Sequence, residues 1–242
     1  ATLYEYYQRC QECLLEPVVL NMSDTLFRMA GERQDERMQA VAIATQLDYY
    51  YFQGTNEDSV IHYTNKVKEF AKATHQPKYY YFAWANRLIT YYLKTSRTNI
   101  ALYEVQNMLK EAQEEDDKTG LSRCYNIMSQ IYTIKRFDSM AFEWRLKEIE
   151  LTEKYKIENY NISQTYAQIA NYYINQKKQK EALAAVEKAI ATANSSTQQI
   201  SAKLEFVNYY SKFGDFQAAE KLLKECQAAF EQDKSCLLYT SD

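Results

Sequence analysis

Apolar side chains recur along this chain at helical spacing, in runs cut short by polar turns. In the segment 166–193, Tyr166, Ile169, Ala170 and Tyr173 fall at i, i+3, i+4 and i+7. Such a stripe is one face of a 3.6-residue helix. After the turn QKKQK, the residues Ala182, Val186 and Ala189 repeat the geometry, and Phe206, Val207 and Tyr210 followed by Ala219, Leu223 and Cys226 do the same around KFGDF. Extended along the chain, the pattern predicts helices at 2–15, 22–32, 35–52, 57–74, 77–94, 98–116, 120–135, 138–155, 160–176, 178–194, 197–212 and 215–232.

The pattern also repeats. Tyrosines close successive apolar runs at Tyr51, Tyr92, Tyr132, Tyr173 and Tyr210, with gaps of 41, 40, 41 and 37 residues. Each is followed by a polar turn: QGTNED, KTSRTN, KRFDS, QKKQK and KFGDF. The unit is therefore a helix A, a tight turn, a helix B and a short link. One such hairpin cannot bury its own apolar faces, so each is expected to stack on the next. The closing tyrosine is expected to lie against the following hairpin, contributing about 1.5–3 kcal/mol if fully buried. The tyrosine before it (Tyr50, Tyr91, Tyr172, Tyr209) points about 100° round the helix. These rings and the cluster 79–84 either cover a neighbouring helix or form a stacking wall for a peptide or sugar. Asp138 is placed to cap the helix after Phe137, and Pro77 to begin one.

Composition sharpens the class. Only 4 glycines and 2 prolines occur in 242 residues, where average usage gives well over roughly twenty. Sheet proteins need those residues at their turns, so the fold is all-α with short loops. The net charge of −3 comes from 29 basic and 32 acidic residues, well mixed. No basic block marks a nucleic-acid footprint, and no apolar run reaches the length of a membrane span. Cys10 and Cys13 form a C-x-x-C without a second pair, and His62 and His75 lie far from them in sequence. A four-ligand zinc site is not assembled, and no metal or cofactor is expected. Phosphate-loop, H-E-x-x-H and G-x-S-x-G motifs are absent, so no catalytic residue is assigned.

The copy at 166–193 resembles the tetratricopeptide repeat (TPR). That family's signature falls here on Tyr166, Ile169-Ala170 and Tyr173 in helix A, and on Ala182, Val186 and Ala189 in helix B. Tyr125, Met128-Ser129 and Tyr132 match helix A again, whereas the helix B that follows carries Met140, Trp144 and Lys147 where small residues belong. The resemblance implies a right-handed superhelical solenoid of about five to six antiparallel hairpins over residues 1–235. The heptapeptide CLLYTSD at 236–242 reads instead as a non-native tail, like a translated sequencing adapter, with the coding sequence cut before it.

In the resembling family, helix A lines a concave groove. Carried onto this sequence, the groove positions include Asn86, Asn126, Gln130, Asn171 and Asn208, with Thr90, Ala167 and Leu204 beside them. Carboxamides can both donate to and accept from an extended main chain, so a protein or peptide partner is expected there. The long period and tyrosine richness resemble the repeat regions of bacterial sensor histidine kinases or transcriptional regulators. The expectation is a non-catalytic binding module in the sensing or regulatory part of a longer signalling protein, periplasmic if a sensor ectodomain. The alternatives are a cytoplasmic peptide-responsive regulator and an assembly scaffold without ligand.

Overall fold

A computed structural model describes residues 2–239, with side chains as far as Glu231. The helices form two units. The first holds α1 (Leu3–Glu12), α2 (Val18–Glu32), α3 (Glu36–Gln53) and α4 (Glu57–Ala73). There α5 (Pro77–Tyr81) continues through a π-helical segment (Phe82–Ile89) into α6 (Thr90–Lys94), and α7 (Thr98–Glu114) follows. The second begins at Asp117 and holds α8 (Lys118–Ile134), α9 (Asp138–Tyr155), α10 (Ile162–Asn175), α11 (Gln179–Ala191), α12 (Ser196–Phe213) and α13 (Phe216–Tyr239). The heptapeptide 236–242 falls outside the residues whose side chains are described, and 240–242 lie outside the described residues altogether.

Helix starts are built from side-chain caps. Asp35, Asn56, Asp117 and Ser195 each accept from the backbone N–H three residues on, satisfying one of the donors a helix leaves open. Pro77 opens α5, where its missing N–H costs nothing. Asp138 is not a cap. It is the first residue of α9, behind Phe137, whose side chain cannot accept.

The helix ends explain the period. Gln34, Gly54, His75, Ser96, Asp116, Arg136, Lys156 and Lys177 all have positive φ and follow one another every 20 or 21 residues. In the A–B turns, the N–H after the left-handed residue reaches back five positions: Arg97 to Tyr92 at 2.8 Å, Phe137 to Tyr132, Lys178 to Tyr173 and Asp215 to Tyr210 at 2.9 Å. This six-to-one bond closes a Schellman motif, and an apolar contact between its two ends commonly accompanies it. Here the tyrosine ring takes that place, meeting a cation in two turns and a ring in one. Its ring lies 4.9 Å from the Arg97 guanidinium at Tyr92, 6.4 Å from the Phe137 ring at Tyr132 and 5.9 Å from the Lys178 ammonium at Tyr173. The recurring tyrosine marks where helix A stops. In the first copy the equivalent residue is Tyr50, whose carbonyl accepts from Gly54 at 3.1 Å, rather than Tyr51.

Stacking follows from small residues on the B helices. In the second unit Ala182, Ala185, Val186 and Ala189 of α11 join Tyr166, Ile169, Ala170 and Ile174 of α10 in one core, closed by Ala202 and Tyr209 of α12. The first unit packs Leu3 and Cys10 of α1 against Val19, Leu26 and Ala30 of α2 and Ala42 of α3.

The two tyrosines of a doublet do not divide into a buried one and an exposed one. Tyr51 and Tyr92 are buried, but so are Tyr91 and Tyr209, whereas Tyr132, Tyr173 and Tyr210 are half-buried. A helix A packed on two sides buries more than 100° of its surface, and its last turn leaves the closing ring over the loop. Tyr172 stacks on Phe142 at 4.0 Å while Tyr173 meets the same ring edge-on at 5.1 Å. Tyr50 stacks on Tyr63. Tyr50 and Tyr172 thus lie against rings of neighbouring helices rather than standing free.

Lys177→Gly removes the left-handed strain of a side chain and is expected to raise unfolding free energy by about 0.5–1 kcal/mol in urea melts. Tyr172→Ala and Tyr173→Ala are expected to lower it by similar amounts, within about 1 kcal/mol of each other, because both leave the Phe142 ring uncovered.

Candidate functional site

The positions expected from the sequence to line a groove fall in both units. Asn86 sits in the π-helical segment of the first, exposed, its carbonyl accepting from Arg87 Nη1 at 3.0 Å. Arg87 in turn pairs with Asp48 at 2.5 Å and lies over the rings of Tyr51 and Phe82. Burial pushes the Asp48 carboxyl above its ordinary value, against the pull of Arg87. The π segment was not legible in the sequence, since its apolar residues satisfy a 3.6-residue period equally well.

The other four amides lie in the second unit, and each is engaged. Asn126 Nδ2 donates to both oxygens of Glu148 at 3.2 Å, while Asn126 Oδ1 accepts from Gln130 Nε2 at 2.6 Å. Asn171 Nδ2 and Asn208 Nδ2 both donate to Glu205 Oε2 at 3.4 Å, and Asn171 Oδ1 accepts from Asn175 at 3.0 Å. Gln130, Asn171 and Asn208 each stand two residues before a closing tyrosine, so they occupy the same place on α8, α10 and α12.

Glu148 and its neighbour Arg145 were missed by the sequence reading. Arg145 is nearly buried and Glu148 is 1% exposed, a rare condition for charged side chains. Both lie on α9, whose buried face is Ala141, Arg145, Glu148, Ile149 and Thr152. The register Met140, Trp144 and Lys147 was therefore one position early. A shift of 41 residues from Ala182, Val186 and Ala189 lands on Ala141, Arg145 and Glu148, and that offset was the available signal. A charged pair stands where the neighbouring copy has Val and Ala.

The pair is held by neutral partners. Glu148 also accepts from Asn159 at 2.9 Å and Thr165 at 3.4 Å, and Arg145 donates to Gln168 and Thr133, each at 2.7 Å. The network thus ties α8 and α10 to the α9 between them, and its removal in part would strand the rest. Burial pushes the Glu148 carboxyl above its usual range, while Asn159, Asn126, Thr165 and Arg145 pull it back. Burial likewise lowers Arg145.

Other candidate chemistry is accounted for by packing. Cys10, Cys124 and Cys226 are buried free thiols and Cys13 is half-buried. Burial pushes the Cys124 thiol up to about 12, which keeps it a poor nucleophile. His75 forms the left-handed turn after α4, and His62 is exposed with its ring edge-on to Tyr63. Among the described residues, no group of three His, Cys, Asp or Glu could hold a metal ion, and no helix is long and apolar enough to cross a membrane.

No protein-family model matches the chain, and no curated protein matches it. Solved structures do. The chain is similar to BtubC (BKLC) from P. vanneervenii, with a TM-score of 0.70 at 13% identity over 97% of this chain and 93% of that one. It is similar to the apo form of RapI, with a TM-score of 0.67 at 14% identity over 95% of this chain but 64% of that one. A putative kinesin light chain of Podosopora anserina with nearly identical TPR-like repeats gives a TM-score of 0.59 at 14% identity, over 83% and 97%. The fold is that of the TPR-like repeat proteins. It is all-α, a solenoid of antiparallel hairpins. In a TPR-like frame, α8, α10 and α12 stand as A helices.

Glu148 holds its proton more tightly in the folded chain than in the unfolded one, so the folded state binds more protons between the two values. Wild type is therefore expected to lose stability relative to Glu148→Gln as pH rises past the ordinary carboxyl value of 4.5, until the folded carboxyl has ionised. Urea melts across that range read the slope of the difference. A difference that grows in favour of wild type with rising pH would contradict the assignment.

Proposed function

We propose that this chain is a non-catalytic protein- or peptide-binding module and that the A-helix face of its second unit takes the partner. The supporting observation is the contrast between two sets of amides. Asn126 serves the buried Glu148, and removing it would leave a carboxylate short of a donor. Asn171 and Asn208 reach Glu205 only at 3.4 Å on a half-buried face, near the limit of a hydrogen bond. Bonds that long are readily exchanged for the N–H and C=O groups of an extended chain, and Glu205 adds an acceptor between them. Gln130, exposed at the equivalent position of α8, continues the row. The likeness to TPR-like repeats of a putative kinesin light chain supports the same class of role.

A finer reading places the module in the sensing or regulatory part of a longer bacterial signalling protein of two-component type. It rests on the 40–41-residue period and the tyrosine-rich helix ends. A full-length gene with an apolar segment of about 20 residues flanking the repeats supports that arrangement, and one encoding these hairpins alone refutes it.

Binding is tested by selecting peptides from a random library on the intact chain. Asn171→Ala combined with Asn208→Ala is expected to weaken the selected peptide about tenfold or more, at roughly 1 kcal/mol per lost bond, with the melting temperature unchanged. A peptide bound equally by the double variant would place the site elsewhere, and unfolding of the variant would make these amides structural.

A further inference from the structure

A different surface of the second unit lies along its A–B turns. The A helices α8, α10 and α12 run in the same direction, because one antiparallel helix separates each from the next. Their three A–B turns therefore share one edge. That edge exposes apolar side chains at its tips: Phe137 is 52% and Phe216 70% exposed, with Ile134 beside Phe137. Around them stand the exposed cations Arg136, Lys177, Lys178, Lys180 and Lys212. Against these five, the same turns carry the exposed carboxylates of Asp138, Glu181 and Asp215, of which Asp215 also accepts from Ala218 N–H. Charge on this edge is thus net positive, five cations against three carboxylates, though the whole chain carries −3.

We propose that this edge docks on an anionic lipid surface. Large apolar side chains at turn tips gain little by facing water, and a ring of Lys and Arg at the same level meets headgroup phosphates while the rings enter the acyl boundary. The three turns close separate hairpins, one after each A helix. A bilayer accepts such a row of separate tips, whereas an acidic peptide would span gaps between them. The row involves neither Asn171 nor Asn208, so it operates independently of the A-helix face.

The intact chain is sedimented with vesicles of phosphatidylcholine containing about 30% phosphatidylserine, and with phosphatidylcholine vesicles alone. Binding to the anionic vesicles, weakened by salt and absent from the neutral ones, is expected. Each cation near such a surface multiplies partitioning roughly fivefold. Lys177→Asn with Lys180→Ser is thus expected to lower partitioning roughly 30-fold, with melting as in wild type; Asn is chosen because it tolerates the left-handed backbone. Phe216→Ser is expected to lower it several-fold at unchanged charge. Should the double variant be unstable, Lys212→Ser replaces it, with a roughly fivefold loss expected. No association with anionic vesicles, or association indifferent to these changes, overturns the proposal. So does a preference for soluble polyglutamate that Phe216→Ser leaves intact, since that outcome assigns the edge to an acidic protein.

Discussion

The architecture depends on how each helix stops. At the A–B turns after Tyr92, Tyr132, Tyr173 and Tyr210, an N–H just past a left-handed residue returns to a carbonyl five positions earlier. That bond satisfies backbone groups that a helix end would otherwise leave to water, and it turns the chain within a few residues. Helices of similar length then fall side by side, and the left-handed residues recur every 20 or 21 positions from Gln34 to Lys177. The next link departs from the rule: Ser195 opens α12 with a side-chain cap and no left-handed residue precedes it. The gap between tyrosines shortens to 37 there.

Between hairpins, two kinds of contact hold the stack. Around α11, small and branched side chains let helices approach closely and bury apolar surface. Around α9, the same positions carry Arg145 and Glu148 with five neutral partners drawn from α8, α10 and the link before it. Apolar packing tolerates sliding along a helix. A carboxylate with donors on three sides does not, because any shift strands a buried charge. The less regular repeat is therefore the one whose register is most narrowly defined, at the cost of desolvating two ionisable groups.

That distinction sorts the surface. Asn126 serves a buried charge, whereas Asn171 and Asn208 hold long bonds to the half-buried Glu205. The turn edge differs again: its side chains are held at the ends of rigid hairpins, so cations and rings project at spacings set by the stack.

Local chemistry was sufficient for most of the fold. Scarce glycine and proline, helical apolar spacing and a repeated tyrosine determine helices, short turns and stacking, since each depends on residues within a few positions of one another. Gln130, Asn171 and Asn208 stand at equivalent positions on α8, α10 and α12, two residues before Tyr132, Tyr173 and Tyr210, a placement readable from the repeat alone. Only the tertiary structure decided which amide is occupied by a buried carboxylate, because Glu148 lies 22 residues from Asn126 and meets it only when α9 folds back on α8. The π segment around Asn86 and the shared burial of paired tyrosines were decided there too, for the same reason. Both follow from what presses on a helix from its neighbours, and a periodic pattern records only which way a side chain faces.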